Sequence, residues 1–179
     1  MNKVQTDNSF LNDKVFLRLK SLPDINELHV LNAFGGDNLI WNKIKKLTNK
    51  KIHVLCIDTK DKSHVQLKGD NIKYIAGMDL NKFDIIDLDA YGVPFKQLET
   101  IFKSGWHGLI YFTFIQSGMG QLNISMLNYL GFTNVMINKC KSLFNINGFD
   151  KFKSYLSLKG ISNIYYINYE RKYYGYFNI

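Results

Sequence analysis

The stretch His29-Val30-Leu31-Asn32-Ala33-Phe34-Gly35-Gly36-Asp37-Asn38 decides the fold. It opens as a short, mainly apolar run and stops at two glycines. Such a run, too short for a helix and closed by a turn signal, predicts a buried strand followed by a sharp turn. Asp37 or Asn38 then stands where a short polar side chain can cap a helix, and the spacing predicts that helix from about Leu39 to Leu47.

The same alternation continues outward. Ile52 to Ile57 is a second apolar run closed by Asp58, Ile72 to Ala76 a third, Phe83 to Leu88 a fourth and Leu109 to Ile115 a fifth. Helices are expected upstream at Phe10 to Lys20 and after Pro94 to about Lys103, since proline suits a first helical position. Two more are expected at Leu122 to Leu130 and Phe149 to Leu158, each closed by a glycine, Gly131 and Gly160. Asn163 to Tyr169 and Tyr173 to Ile179 alternate in aromatic residues around Glu170-Arg171-Lys172 and read as an antiparallel hairpin. Strands that alternate with helices imply a parallel sheet covered on both faces. The expected class is therefore α/β: a doubly wound, mainly parallel seven-stranded sheet with an antiparallel C-terminal hairpin strand. One domain over 1–179 is expected, with 1–28 as a helical lead-in and 29–179 as the core.

Composition sets outer bounds. The chain has 179 residues, of which 46% are hydrophobic and 15% aromatic, enough for one sizeable core. No apolar run approaches the ~18–20 residues a membrane helix needs, and the N-terminus lacks an apolar signal core. Two widely separated cysteines, Cys56 and Cys140, fit a reducing compartment, so a cytoplasmic location is expected. The net charge of +8 favours polyanions, and RNA or DNA on a lysine-rich surface is the partner expected. The same richness in Lys, Asn, Ile and Tyr is what an AT-rich genome encodes, so the charge has a second source.

In open α/β sheets ligands bind beyond the carboxyl ends of the strands. Four successive strand ends carry unusual residues here. After the first come Asn32, Phe34, Gly35, Gly36 and Asp37; after the second, Asp58; after the third as read above, Gly77, Met78 and Asp79; after the fourth, Asp87, Asp89, Tyr91 and Gly92. Glycines let a backbone approach a ligand closely, and a carboxylate at a strand end can accept hydrogen bonds from a ribose diol. Each feature alone is ordinary: a turn, a helix cap, a solvated acid. Their succession in order is what points to a nucleotide-like ligand. There is no phosphate-loop motif and no GxGxxG. His29, His53, His64 and His107 are scattered without the spacing of a zinc motif, so no metal is expected. Gln116-Ser117-Gly118-Met119-Gly120 reads as a loop suited to a lid, and the aromatic C-terminal hairpin as cross-strand packing.

At these residues the chain resembles the class I S-adenosylmethionine-dependent methyltransferases. Val30 to Asn38 is similar to that family's first motif, a strand leading into a glycine-rich loop around the methionine part of the cofactor. The resemblance implies S-adenosylmethionine as cofactor. It places Asp58 on the ribose, Met78 and Asp79 against the adenine, and Asn32, Phe34, Gly35, Gly36, Asp37 and Asp87 around the rest. Asp87-Leu88-Asp89-Ala90-Tyr91-Gly92-Val93-Pro94 is similar to the Asp-Leu-Asp-Pro-Phe-Gly-Ser-Pro stretch of the tRNA (guanine-N2) dimethyltransferases. That likeness implies methylation of an exocyclic amine on a nucleic-acid base. Asp89 would accept the amine N–H and Tyr91 would stack on the flipped base. The alternatives are a small-molecule or protein methyltransferase, and a methyltransferase-like domain that binds without catalysis. The sequence departs from the family pattern at Asn32, where an acid is usual, at Asn38, where a glycine is usual, and at Ala90, where the fourth motif has proline.

Overall fold

The computed structural model describes residues 10–115, 122–144 and 146–179. The lid expected at 116–120 lies outside the described residues. Seven strands form one sheet: β1 (Glu27–Asn32), β2 (Lys51–Asp58), β3 (Leu67–Lys68), β4 (Ile85–Leu88), β5 (Leu109–Ile115), β6 (Tyr165–Tyr169) and β7 (Lys172–Asn178). Their spatial order is β3-β2-β1-β4-β5-β7-β6. The first five pair in parallel, whereas β7 runs antiparallel to both β5 and β6. The helices are α1 (Leu11–Ser21), α2 (Leu39–Leu47), α3 (Asn71–Gly77), α4 (Phe95–Ser104), α5 (Ile124–Tyr129), α6 (Asn134–Lys139) and α7 (Gly148–Leu158). No helix among the described residues is long and apolar enough to cross a membrane.

Side chains of successive strand residues point to opposite faces, and the core divides accordingly. Leu28, Val30, Ile85, Leu109 and Tyr111 pack with Val15 of α1 and with Trp41 and Ile44 of α2. Leu31, Ile86, Ile110, Phe112 and Phe114 pack with Leu98 and Ile101 of α4 and with Phe152 and Tyr155 of α7. Both faces are thus covered, which is why the central strands read as unbroken apolar runs rather than as alternating ones.

Two elements differ from the expectation: α6 stands where no helix was expected, and the third strand is displaced. Ile72 to Ala76 is not the third strand but lies inside α3. The spacing of Ile72, Ile75 and Ala76 satisfies a helical period as well as a short apolar run does. The cap decides between them: Asp70 accepts a hydrogen bond from the Ile72 N–H at 2.9 Å. The true third strand is only Leu67–Lys68, held to β2 with help from Gln66, whose side-chain oxygen accepts from the Cys56 N–H at 2.7 Å. An edge strand of two residues is too short to carry a hydrophobic pattern that would reveal it. Two further positions are set by glycine. A Cβ on Gly175 would lie 2.6 Å from both the Phe112 ring and the Tyr165 carbonyl oxygen, so β7 can cross the core there only without a side chain. Gly105 closes α4 in the left-handed conformation, φ 71°.

Candidate active site

The chain leaves β1 toward β2 and β3, then returns to add β4 on the other side of β1. The loops after β1 and β4 therefore diverge, and a cleft opens between them at the carboxyl ends of the strands. Its volume is about 910 Å³. Loops following β1, β2, β3 and β4 all contribute to its lining, together with Lys14 of α1 and Thr113 of β5.

The wall after β1 is a tightly braced loop. The Gly35 N–H donates to the Ile57 carbonyl at 2.8 Å, and a Cβ at Gly35 would stand 3.0 Å from the Cys56 Cβ, a tight approach that favours glycine beside the neighbouring strand. Gly36 takes φ +51° and donates its N–H to Asp58 Oδ2 at 2.8 Å. Its carbonyl lies 2.7 Å from His64 Nε2, which donates to it. Asp58 also accepts the Lys60 N–H on Oδ1 at 2.9 Å. Asn32 is buried, and its side-chain amide donates to Asn38 Oδ1 at 3.1 Å. Asn38 therefore does not cap α2: it stands at the cap position with φ 52°, its side-chain oxygen already used by Asn32. Asp37 faces Lys62, whose ammonium bonds to it and holds its carboxyl below the usual range. Phe34 lines the cleft and packs half-buried on the α4 side of the core.

The structure separates Met78 and Asp79 from this cleft. They follow a helix rather than a strand: Met78 ends α3 and packs against the core, and Asp79 caps a short 3-10 turn by accepting the Asn81 N–H at 3.1 Å. The place after the true third strand is taken by Gly69, Asp70 and Asn71, all of which line the cleft. Asp70 Oδ1 caps α3, and Asn71 Nδ2 donates to the Ala33 carbonyl at 2.7 Å, tying the third loop to the first.

The wall after β4 is built on two ion pairs supplied by α1, one buried and one partly buried. Arg18 forks onto Asp87, with Nε to Oδ2 at 2.8 Å and an Nη to Oδ1 at 2.7 Å. Trp41 Nε1 donates to the same Asp87 Oδ2 at 2.8 Å, and both Arg18 and Asp87 are essentially inaccessible. Burial disfavours the Arg18 cation, but the facing Asp87 outweighs it and the guanidinium stays charged. Asp87 is thus a structural anchor behind the cleft. One turn before Arg18, Lys14 bonds to both oxygens of Asp89, at 2.9 and 3.0 Å, and the Thr113 hydroxyl donates to Oδ1. Burial pushes the Asp89 carboxyl up; Lys14, Arg18 and the Thr113 hydroxyl together pull it down further, so it is ionised. A carboxylate offers about four acceptor positions. Lys14 and Thr113 fill three, which leaves one on Oδ2 among the described contacts. Tyr91 stands at the mouth of the cleft, 64% exposed.

No family model matches the sequence, and no curated protein does. Among solved structures, the CurJ carbon methyltransferase superposes with TM-score 0.59 at 10% identity, over 92% of this chain and 53% of that one. The ribosomal protein L11 methylase of Lactobacillus delbrueckii subsp. bulgaricus gives 0.58 at 15% identity, over 96% and 79%. An S-adenosylmethionine-dependent methyltransferase of Aquifex aeolicus gives 0.54 at 14% identity, over 99% and 95%.

The fold is that of the class I methyltransferases. The chain spans about half the length of the CurJ enzyme, so the likeness concerns the Rossmann-like unit alone.

Within this methyltransferase fold, Asn32, Phe34, Gly35, Gly36, Asp37, Asp58, Asp87, Asp89 and Tyr91 all border one cleft, and Met78 and Asp79 do not. Sequence reading passed over Lys14, Arg18, Trp41, Asp70, Asn71 and Thr113. One signal was available: Lys14 and Arg18 stand four apart on a helix whose neighbours Val15 and Leu17 are apolar, so the two charges share its inward side.

The residues fit S-adenosylmethionine in chemical type. Asp58 and Asp70 put two carboxylates on the same side of one cleft, beside a loop whose glycines leave it free of side chains at Gly35 and Gly36. Carboxylates suit the hydroxyls of a ribose and the exocyclic amine of adenine, both donors.

Proposed function

We propose that the protein is an S-adenosylmethionine-dependent methyltransferase acting on an exocyclic amine of a nucleic-acid base. The observation that carries the reading is the meeting of Gly35-Gly36, Asp58, Asp70 and the Asp89–Tyr91 turn in one cleft at the switch point of the sheet. Asp58 would hold the ribose, Asp70 and Asn71 the adenine side, and the Gly35-Gly36 loop with Asn32 the amino-acid end. The bound cofactor supplies a methyl group on a sulfonium. The open acceptor position on Asp89 Oδ2 takes one N–H of the amine and orients its lone pair. Lys14 and Thr113 fix that carboxylate in place before substrate arrives, and positioning of this kind supplies much of the rate of a transfer reaction. Tyr91 offers an exposed ring for the base. The net charge of +8 supports a polyanionic partner.

A second reading, a cofactor-binding domain without transfer, is favoured by one observation: Asp89 is already engaged by Lys14 and Thr113. Calorimetric titration with S-adenosylmethionine, followed by transfer of labelled methyl groups to single-stranded RNA, transfer RNA and DNA, separates the two. Binding with transfer supports the first, and binding without transfer to any acceptor supports the second. Absence of binding removes both.

A further inference from the structure

We infer that Glu27, His29 and His53 form a binding site for a divalent transition metal ion of the zinc class, at the end of β1 and β2 opposite the cleft. The backbone brings these residues together. β1 and β2 pair in parallel with His29 beside His53 and Glu27 beside Lys51. Residues two apart on a strand share a face, so Glu27 and His29 point the same way and His53 joins them from the next strand. All three are exposed.

The side chains already converge. One donor atom from each lies within 4.8 Å of the other two. His53 Nε2 is 2.8 Å from Glu27 Oε1, and the two imidazoles lie parallel with centroids 4.9 Å apart. Donors around tetrahedral zinc sit about 3.3–3.6 Å apart, from bond lengths near 2.0–2.2 Å. Rotation of exposed side chains closes that difference without moving either strand. The His29 backbone is held in place, its main-chain N–H donating to Asp84 Oδ2 at 2.8 Å.

The donor set selects the ion. Two imidazoles and one carboxylate suit zinc, nickel or copper, whereas calcium and magnesium take oxygen ligands. Three protein ligands leave a fourth position for water or for a donor from another molecule. Lys51 competes, because its ammonium is 2.9 Å from the same Glu27 oxygen. The four histidines carry no zinc spacing in the sequence: His29 and His53 are neighbours only because the β1–β2 register makes them so.

The test is titration of the tag-free chain with zinc sulfate and nickel chloride, by calorimetry and by histidine-ring NMR. The expected result is one ion per chain. His29→Gln and His53→Gln should each weaken binding about tenfold or more, no less than loss of an outer-shell partner costs at built sites. Lys51→Met should tighten it, while Cys140→Ser, exposed and just after α6, leaves it unchanged. No saturable uptake by the wild-type chain, or uptake that survives both histidine substitutions, overturns the assignment.

Discussion

Replacing Arg18 by methionine removes the clamp that ties α1 to the sheet behind the cleft. In the wild type Arg18 donates to both oxygens of Asp87 and to the Lys14 carbonyl, the last at 3.1 Å, with both charges buried. Arg18→Met keeps most of the side-chain volume but leaves the Asp87 carboxylate in the core with one remaining side-chain donor among the described residues, Trp41 Nε1. Removing one partner of a buried pair costs about 3–5 kcal/mol. That is a large share of the roughly 5–15 kcal/mol that holds a domain folded. At about 2–4 °C per kcal/mol for a chain of this size, the melting temperature should fall by about 6–20 °C. Urea unfolding followed by circular dichroism gives the free energy directly. The same substitution in the Asp87→Leu background should cost much less, because no stranded carboxylate remains. A loss below about 1 kcal/mol in the single variant, or an equal loss in both backgrounds, would refute the stranded-charge account.

The other expectations are independent of this pair. Asp58→Ala should weaken S-adenosylmethionine binding by about 1.5–3 kcal/mol, the worth of hydrogen bonds to a charged group, and a calorimetric titration reads it. Gly175→Ala should lower stability by about 1–3 kcal/mol through overpacking against Phe112 and the Tyr165 carbonyl, visible in thermal melts. The Asp89 carboxyl is held below its unfolded value, so the unfolded chain binds the extra proton first and stability falls as pH drops through the carboxylate range. Acid unfolding should therefore be less steep in Lys14→Met, which removes the main favourable partner. Burial pushes the Cys56 thiol up to about 11, whereas hydrogen bonding from Ser142 lowers that of the exposed Cys140. Iodoacetamide at mildly alkaline pH should label Cys140 first, as mass spectrometry of timed samples can show.

The apolar runs at His29–Phe34, Ile52–Ile57, Phe83–Leu88 and Leu109–Ile115 were legible in the sequence because largely buried parallel strands leave a nearly continuous hydrophobic signature. So were the helix-closing glycines, the aromatic hairpin, and the strand-end residues Gly35, Gly36, Asp58, Asp89 and Tyr91. The third strand was not, since a two-residue edge strand is too short to carry a pattern, and with Ile72 to Ala76 in its place the cleft residues Asp70 and Asn71 gave way to Met78 and Asp79. Nor were the partners of the acids. Lys14 and Arg18 meet Asp89 and Asp87 across about seventy residues of sequence, and His29 meets His53 only through strand register. Local periodicity records which face a residue turns inward, because that depends on its near neighbours. Which charge it meets there depends on how the layers stack, and only the tertiary structure decides that.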